Sequence, residues 1–491
     1  MIGRKKEIAL LNKLCESDKS KLVAVYGRRR IGKTYLINQL FTLHKKECTF
    51  FSFTGSYNQD TPTQIENFID QIKLWFNVSP DEKIDKWSRA FAFLTTVLRD
   101  ILKENDKQKI VLFFDEVPWV DRTNRAKFMS SLGYFWNTFC EGKSNFLGIL
   151  CGSNASWIQD KIVKNEGSFN ARLDDTIPML PFDLSETKDY LINELGFEID
   201  DKSVLELYMI FGGVAKYLSY LDKDKTIEDN IGYIIFSING RMHNEYNEVF
   251  KSLFLTKTQE YNKIMNLLSS KKSGYPTSYI AKSLGLSVGG TISKMLEDLE
   301  QCGFIKSIIS LDNKGERLFI TSDPFCLFYN DWLKKLSKNQ ISNLPNDYWE
   351  NKVSSSAYIT WSGFAFEMAT IINIELYLKA RGAKRGLKGI YGWSKKKSNT
   401  GEVGAQIDIV VSYDNKQYDI VECKYYNKEF VIDAAFKKNL LNKKEMFIKY
   451  GIPVGSKYKI DFIMLTSLGT KRNEFYNELR INKNLVLSDL Y

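Results

Sequence analysis

Gly27-Arg28-Arg29-Arg30-Ile31-Gly32-Lys33-Thr34 is the stretch on which the fold of this chain turns. It fits G-x-x-x-x-G-K-[ST] in the context that pattern requires, an apolar run Leu22-Val23-Ala24-Val25-Tyr26 before it and a helical pattern after it. Glycines in such a loop let backbone N–H groups wrap phosphate oxygens, and the helix that follows turns its positive end toward them. Lys33 is expected to reach the β- and γ-phosphate oxygens, and Thr34 to ligate Mg2+. Gly27, Arg28, Arg29, Arg30, Ile31, Gly32, Lys33, Thr34 and the adjoining Tyr35 are therefore the expected nucleotide-binding residues.

Four more apolar runs follow, at residues 49–53, 110–114, 146–150 and 176–180, separated by helical patterns. Continuous apolar runs are what parallel strands buried on both faces require, and their alternation with helices predicts a parallel α/β sheet. Asp115 ends the third run and Glu116 follows it. The pair suits a second Mg2+ partner, Asp115, and a residue that polarises the attacking water, Glu116, a division of labour that predicts hydrolysis. After the fourth run comes Gly152-Ser153-Asn154, where Asn154 is a candidate sensor of the γ-phosphate and helix capping by Ser153 is the competing reading. Arg172, just before the fifth run, suits either an arginine finger on a neighbouring protomer's nucleotide or a surface salt bridge.

These motifs together carry a resemblance. Gly3-Arg4-Lys5-Lys6-Glu7, the Tyr26–Thr34 loop, Phe113-Phe114-Asp115-Glu116-Val117-Pro118-Trp119, Gly152-Ser153-Asn154 and Phe211-Gly212-Gly213-Val214-Ala215-Lys216-Tyr217-Leu218 resemble the archaeal-type ATPases of the STAND class, relatives of AAA+ proteins. The resemblance covers roughly the first half of the chain. It implies an additional-strand P-loop fold, ATP as nucleotide, and adenine packing near Ile2 and Arg4. Ala215 departs from the proline that family usually carries there, which touches only the lid.

Beyond the sheet the pattern turns helical from Ser185 to about Tyr220. From Tyr261 to Ile309 three short helical patterns follow, the third striped by Ile292, Met295, Leu296 and Leu299 with Ser287 as its expected N-cap. A hairpin pattern broken at Asp312-Asn313-Lys314-Gly315 completes a winged helix-turn-helix. Its third helix carries Lys294 but also Glu297, Asp298 and Glu300, which oppose phosphates and favour a protein-contact role. The expected division is an ATPase core at 1–184, a helical lid and connector at 185–250, the winged helix at 251–336, a linker at 337–346 and a last domain at 347–491.

That last domain holds a second constellation. Glu422 and Lys424 lie two apart on a strand and share a face, with Cys423 turned away. Asp408 joins them across a hairpin if it pairs with Glu422, which sets Tyr413 opposite Gln417 and leaves Asp414-Asn415-Lys416 as a three-residue loop. A two-residue loop would aim Asp408 at the other face unless a bulge corrects it. Two carboxylates and an ammonium suit Mg2+ or Mn2+ and an attacking water, the chemistry of phosphodiester cleavage. The D…ExK pattern is similar to the PD-(D/E)xK nuclease superfamily, although Gln406-Ile407 replace the residues that usually precede the aspartate. This resemblance implies a restriction-endonuclease-like α/β fold, with Glu367 as an additional acidic metal ligand.

Upstream, Lys379, Arg381, Lys384, Arg385, Lys388 and Lys395-Lys396-Lys397 interleave with Tyr391 and Trp393, suiting either a groove with stacking surfaces for DNA or a solvated loop. The chain has 491 residues and a formal charge of +10, so it is modular and inclined toward a polyanion. Its seven cysteines form no C-x-x-C, and its two histidines, His44 and His243, disfavour His-metal catalysis and a Ser-His-Asp triad. With no long apolar run, a cytoplasmic location without membrane contact is expected. The whole reads as an ATPase whose nucleotide state controls a DNA nuclease, with a nucleotide-switched DNA-binding or signalling scaffold as the alternative.

Overall fold

A computed structural model describes residues 3–44, 48–121, 127–163, 172–254, 257–270, 274–309, 316–383, 386–397, 403–453, 455 and 457–491, with the side chains of Leu43, His44 and Asp408 also outside the description. Two compact units result, Met1–Leu180 and Pro181–Tyr491.

The first unit is built on β1 (Lys21–Tyr26), β2 (Thr49–Thr54), β3 (Ile110–Asp115), β4 (Phe146–Gly152) and β5 (Asp175–Pro178). All pair in parallel, in the order β2-β3-β4-β1-β5. Each coincides with an apolar run in the sequence, and every residue of β3 and β4 is buried, as strands covered on both faces must be. β4 stands between β1, which feeds the phosphate loop, and β3, which ends at Asp115, so it is the additional strand. One face packs Val23, Val25, Phe113 and Ile149 against Leu11, Leu36, Ile37 and Phe41 of flanking helices. The other meets an aromatic cluster in which Trp87 and Phe128 lie edge-to-face at 4.7 Å.

The second unit opens with helices Leu184–Asp189 and Asp201–Phe211. The Gly212-Gly213 turn brings backbone against backbone: Phe182 N–H donates to Gly213 O at 2.7 Å, and a Cβ on Gly213 would lie 1.8 Å from Phe182 O. Only glycine fits there. Helices Thr258–Leu268, Thr277–Ser283 and Gly290–Gln301 then accompany an antiparallel sheet of β6 (Tyr275–Pro276), β7 (Ile305–Ile309) and β8 (Arg317–Thr321), ordered β6-β8-β7. The third helix buries its expected stripe but begins after Gly289, which takes the N-cap position in place of Ser287. The turn at 312–315 lies outside the described residues.

Residues 337–346 are no simple linker. Ser337 and Gln340 form a reciprocal capping box on helix Lys338–Ser342, which buries Ile341. The S-x-x-Q spacing is a capping-box signal set within a polar stretch.

The last five strands are β9 (Leu387–Lys395), β10 (Ala405–Tyr413), β11 (Gln417–Lys424), β12 (Lys459–Thr466) and β13 (Lys483–Val486), ordered β13-β12-β11-β10-β9. β9 with β10 and β10 with β11 pair antiparallel, whereas β11 with β12 and β12 with β13 pair in parallel. Helix Ala434–Tyr450 covers one face, where Phe447 meets Trp393 and Tyr418 edge-on at 5.5 and 5.6 Å. Helix Ser356–Ile372 lies on the other, its Thr370 hydroxyl 3.7 Å from Cys423 Sγ. The helix expected at 364–378 is thus two, broken at Asn373 before Ile374–Arg381.

Candidate nucleotide site and C-terminal charged site

The phosphate loop leaves β1 at Gly27, where φ is 152° and a Cβ would sit 2.1 Å from the Met179 carbonyl oxygen. Arg30 and Gly32 also have positive φ, 72° and 94°, and Gly32 occupies the N-cap of helix Lys33–Asn38. The ammonium of Lys33 is buried and donates to Gly27 O at 2.8 Å, Arg28 O at 2.9 Å and Ser153 Oγ at 3.1 Å. Thr34 Oγ1 donates to Asp115 Oδ2 at 2.6 Å, so the two expected Mg2+ ligands meet across β1 and β3. Both offer hard oxygen, which fits a magnesium ion.

Glu116 follows Asp115 in a left-handed conformation, φ 49° and ψ 43°, a strained backbone for a side chain of this size. Its amide donates to Asp115 Oδ1 at 2.9 Å. Its carboxylate accepts from the Ser153 hydroxyl and, at 3.2 Å, from the Ser153 amide. Burial pushes the Glu116 carboxyl up from the ordinary carboxylate value, against the opposing pull of the Lys33 charge and the bonds from Ser153. Ser153 therefore joins Lys33 to Glu116, the side chain in the site that the sequence reading assigned elsewhere. Asn154 takes the capping role instead: its Oδ1 accepts from Trp157 N–H at 3.0 Å, the three-residue reach of an N-cap.

The remaining loop residues divide by burial. Arg28 and Ile31 are buried, while the Arg29 guanidinium lies 5.6 Å from the Trp119 ring centre. Tyr35 is 55% exposed on the helix surface. Arg4 is buried and donates to Ile31 O at 3.1 Å, which ties the amino-terminal helix to the loop; Ile2 is outside the described residues. Arg172 Nε lies 3.5 Å from Glu141 Oε2 in a half-exposed ion pair, which is the second of the two roles left open for it.

In the C-terminal sheet the β10–β11 register runs from Ser412↔Tyr418 to Ile409↔Val421. The loop is therefore Asp414-Asn415-Lys416, with Lys416 at φ 60°, and the register continued one step sets position 408 opposite Glu422. A register shift in the β9–β10 pairing falls between Ile407 and Val410, around the same position. Glu422 is 3% exposed and bonded by two lysines: Lys443 Nζ at 2.5 Å to Oε1 and Lys424 Nζ at 3.4 Å to Oε2. Lys443 belongs to helix Ala434–Tyr450 and was not anticipated, since that helix carries lysines all around. Glu367 sits on helix Ser356–Ile372, whose Phe366 and Thr370 meet Tyr425 and Cys423. Strand alternation puts those two on the opposite side of β11 from Glu422 and Lys424, so Glu367 and Glu422 are carried on different faces. Among the described residues no group of three His, Cys, Asp or Glu side chains converges as a metal cage.

The upstream basic segment is corrected by the same sheet. Tyr391 and Trp393 are 5% and 2% exposed, in the core of β9, and offer no stacking surface. Arg381 bonds Asp419 through Nε at 3.0 Å and Asp461 through Nη2 at 2.6 Å, so its charge is spent inside the domain. Lys388, Lys396 and Lys397 are exposed, and Lys384 and Arg385 lie outside the described residues.

Comparison with known proteins finds similarity that centres on the first part of the chain. Residues 1–221 match the model of an ATPase domain predominantly from Archaea. A relative from Methanocaldococcus jannaschii, the uncharacterized protein MJECL04, is 21% identical over 476 residues, covering 93% of this chain and 95% of its own. Among solved structures, the Walker-type ATPase PABY2304 of Pyrococcus abyssi is similar with a TM-score of 0.45 and 16% identity, covering 67% of this chain and 96% of that one. The ORC2 protein of Aeropyrum pernix, in complexes with ADPNP and ADP, gives 0.43 and 14%, covering 72% and 96%. No described helix is long and apolar enough to cross a membrane. The parallel sheet and the phosphate loop both lie within the residues, 1–221, that match this ATPase-domain model.

Proposed function

We propose that this chain binds and hydrolyses ATP with Mg2+ and that its nucleotide state controls DNA binding or cleavage by the C-terminal domain. The observation that carries the first half is the junction of Lys33, Ser153 and Glu116 beside the Thr34–Asp115 pair. Lys33 exchanges its bonds to loop carbonyls for phosphate oxygens. Thr34 and Asp115 are the residues that would hold a magnesium ion, which would supply charge neutralisation at the phosphates. Glu116 takes the proton of the attacking water; its raised affinity for protons suits a base that must first be released from Ser153.

The second half is supported by the way the lid helices join the C-terminal domain within one unit. Leu184 N–H donates to Asn373 Oδ1 at 2.8 Å, Tyr358 OH to Glu206 Oε1 at 2.6 Å, and Tyr491 OH to Asp201 O at 2.8 Å. The matched ATPase region includes those lid helices, which therefore belong both to that region and to the unit that holds Glu422. The nuclease-like reading of that domain draws on the hairpin register, and the winged-helix reading of residues 251–336 on three helices with an antiparallel β6-β8-β7 sheet. The assignment of magnesium or manganese to that domain draws on the D…ExK sequence pattern alone, since among the described residues Glu422 is held by two lysines and no three-ligand metal group forms. Arg172, half-buried and paired with Glu141, is the candidate contact to a second protomer.

The scaffold alternative draws on the two lysines already engaged with Glu422. Purified protein incubated with supercoiled and branched DNA, Mg2+ or Mn2+, with and without ATP, separates the two. Cleavage lost in Glu422→Ala and altered in Lys33→Ala supports ATP-controlled cleavage; ATP hydrolysis without any cleavage supports the scaffold.

A further inference from the structure

We propose that Cys15 and Cys48 form a thiol-modification site, at which a small-molecule disulfide is reduced and the two cysteines are joined into a covalent ring that braces the phosphate-loop segment. Neither ATP hydrolysis nor DNA enters into it.

Cys15 ends the amino-terminal helix Lys5–Cys15, and Cys48 directly precedes β2. The two positions are 33 apart in sequence, yet their Sγ atoms stand 3.7 Å from each other. A disulfide holds its sulfurs at about 2.05 Å, so a shift of under about 2 Å joins them. Both side chains serve one core cluster: Cys15 is a buried member of it with Leu14, Leu36, Ile37 and Phe41, and Cys48 packs half-buried against it.

The unequal exposure of the pair orders the chemistry. Cys15 is 3% exposed, whereas Cys48 is open to solvent in part. The Cys48 thiolate therefore attacks first, bonding to one sulfur of the small disulfide and expelling the other as a thiolate. Cys15 then attacks Cys48 Sγ in the mixed disulfide, which makes the Cys15–Cys48 bond and expels the second small thiolate. The cysteine pair gives up two electrons and two protons; the small disulfide takes them and leaves as two thiols. Cys140 and Cys151 contrast with the pair, because burial pushes their thiols well up and keeps them unreactive.

The ring matters for what it encloses. Between Cys15 and Cys48 lie β1, the whole phosphate loop and helix Lys33–Asn38. The sheet is parallel throughout, so Cys48, at the start of β2, lies at the edge of the sheet opposite the one where the loop leaves β1. Oxidation thus cross-links the segment that carries Lys33 and Thr34 without placing a sulfur beside the nucleotide. The amino-terminal helix is already tied at its other end, where Arg4 donates to Ile31 O. With its last residue bonded to Cys48 it becomes a strap fixed at both ends. Closing a ring of this length also lowers the entropy of the unfolded chain, which stabilises the first unit.

The test treats the nucleotide-free full chain with oxidised glutathione, quenches in acid, caps the remaining thiols with N-ethylmaleimide in denaturant, and maps the cysteines by mass spectrometry without reduction. Wild type should yield peptides linked through Cys15 and Cys48. Cys15→Ser should instead hold a glutathione adduct on Cys48, and Cys48→Ser should leave Cys15 capped. By calorimetry the oxidised wild type should melt at least about 5 °C above the reduced chain, with no such rise in Cys48→Ser and with ATP affinity unchanged in a nucleotide titration. Wild type in which both cysteines are still capped after oxidation, or in which a Cys48 adduct persists without closing onto Cys15, overturns the modification site. A linked chain that melts with the reduced one, or that loses ATP affinity, overturns the bracing role.

Discussion

Replacing Arg381 by methionine should lower the stability of the second unit by about 3 kcal/mol, the lower end of what is lost when one partner leaves a buried ion pair. The magnitude follows from the partners left behind. Asp419 is fully buried and loses two guanidinium bonds, but it keeps the hydroxyls of Tyr377 at 2.9 Å and Tyr413 at 2.7 Å. Asp461 loses its 2.6 Å bond and keeps Gln417 Nε2 at 2.9 Å, with the exposed Lys459 at 3.4 Å. Retained donors argue against the upper end of the range, and two uncompensated carboxylates argue against a small effect. For a unit this large, about 2 °C per kcal/mol gives a fall of about 6 °C in its thermal transition, read by calorimetry. Adding Asp419→Asn to Arg381→Met should recover part of the loss, because the charge orphaned by the first change is removed by the second. Arg381 lies in a stretch whose composition suggested a phosphate-tracking groove. A variant that melts within about 1 °C of wild type yet loses DNA affinity would refute the structural assignment and return Arg381 to that groove.

Glu116→Gln should bind ATP nearly as wild type does but hydrolyse it at least about 100-fold more slowly, in a phosphate-release assay. Because burial raises the Glu116 carboxyl above the ordinary value of 4.5, the acid limb of wild-type hydrolysis should lie above that pH, with activity lost as Glu116 takes up a proton. Gly27→Ala, whose new Cβ would meet the Met179 carbonyl oxygen at 2.1 Å, should weaken ATP binding by at least about tenfold in a nucleotide titration. Tyr358→Phe removes the donor to Glu206 and should cost about 1–3 kcal/mol, with the ATP dependence of DNA binding reduced as well. Burial raises the Glu206 carboxyl, so its charged form opposes folding above that raised value and its neutral form does not below the ordinary one; Glu206→Gln should therefore melt higher than wild type at pH 7 and equally near pH 4.

The first sheet was legible because each of its strands overlaps a run of mostly apolar residues and its phosphate loop has a fixed spacing. The same property concealed Ser153. β4 is buried on both faces, so no alternation marks which of two adjacent polar residues at its end turns inward, and only the backbone shows Asn154 turning toward the helix amides and Ser153 toward Glu116. Arg172 is a similar case, since its partner Glu141 lies on a distant segment that no local pattern connects to it.

The C-terminal domain was harder to read because its informative residues are charged, and the role of a charge is decided by what surrounds it. Sequence spacing placed Glu422 and Lys424 on one face, and loop arithmetic stated the register that brings position 408 opposite. Neither could reveal Lys443, which arrives from a helix in which lysine is too frequent to mark any one position. Nor could composition tell Arg381 from the exposed Lys396 and Lys397, although one neutralises two buried aspartates and the others meet solvent. β9 was missed for a related reason: its lysines and glycines read as loop, while Tyr391 and Trp393, two apart, are what seat it as a strand on the core. A basic stretch counted by charge overstates its phosphate-binding capacity wherever some of those charges are consumed internally. The net charge of +10 therefore has to be divided by burial before it argues for DNA, and in this domain exposed lysines such as Lys396 and Lys397 survive that division while the pair engaged with Glu422 does not.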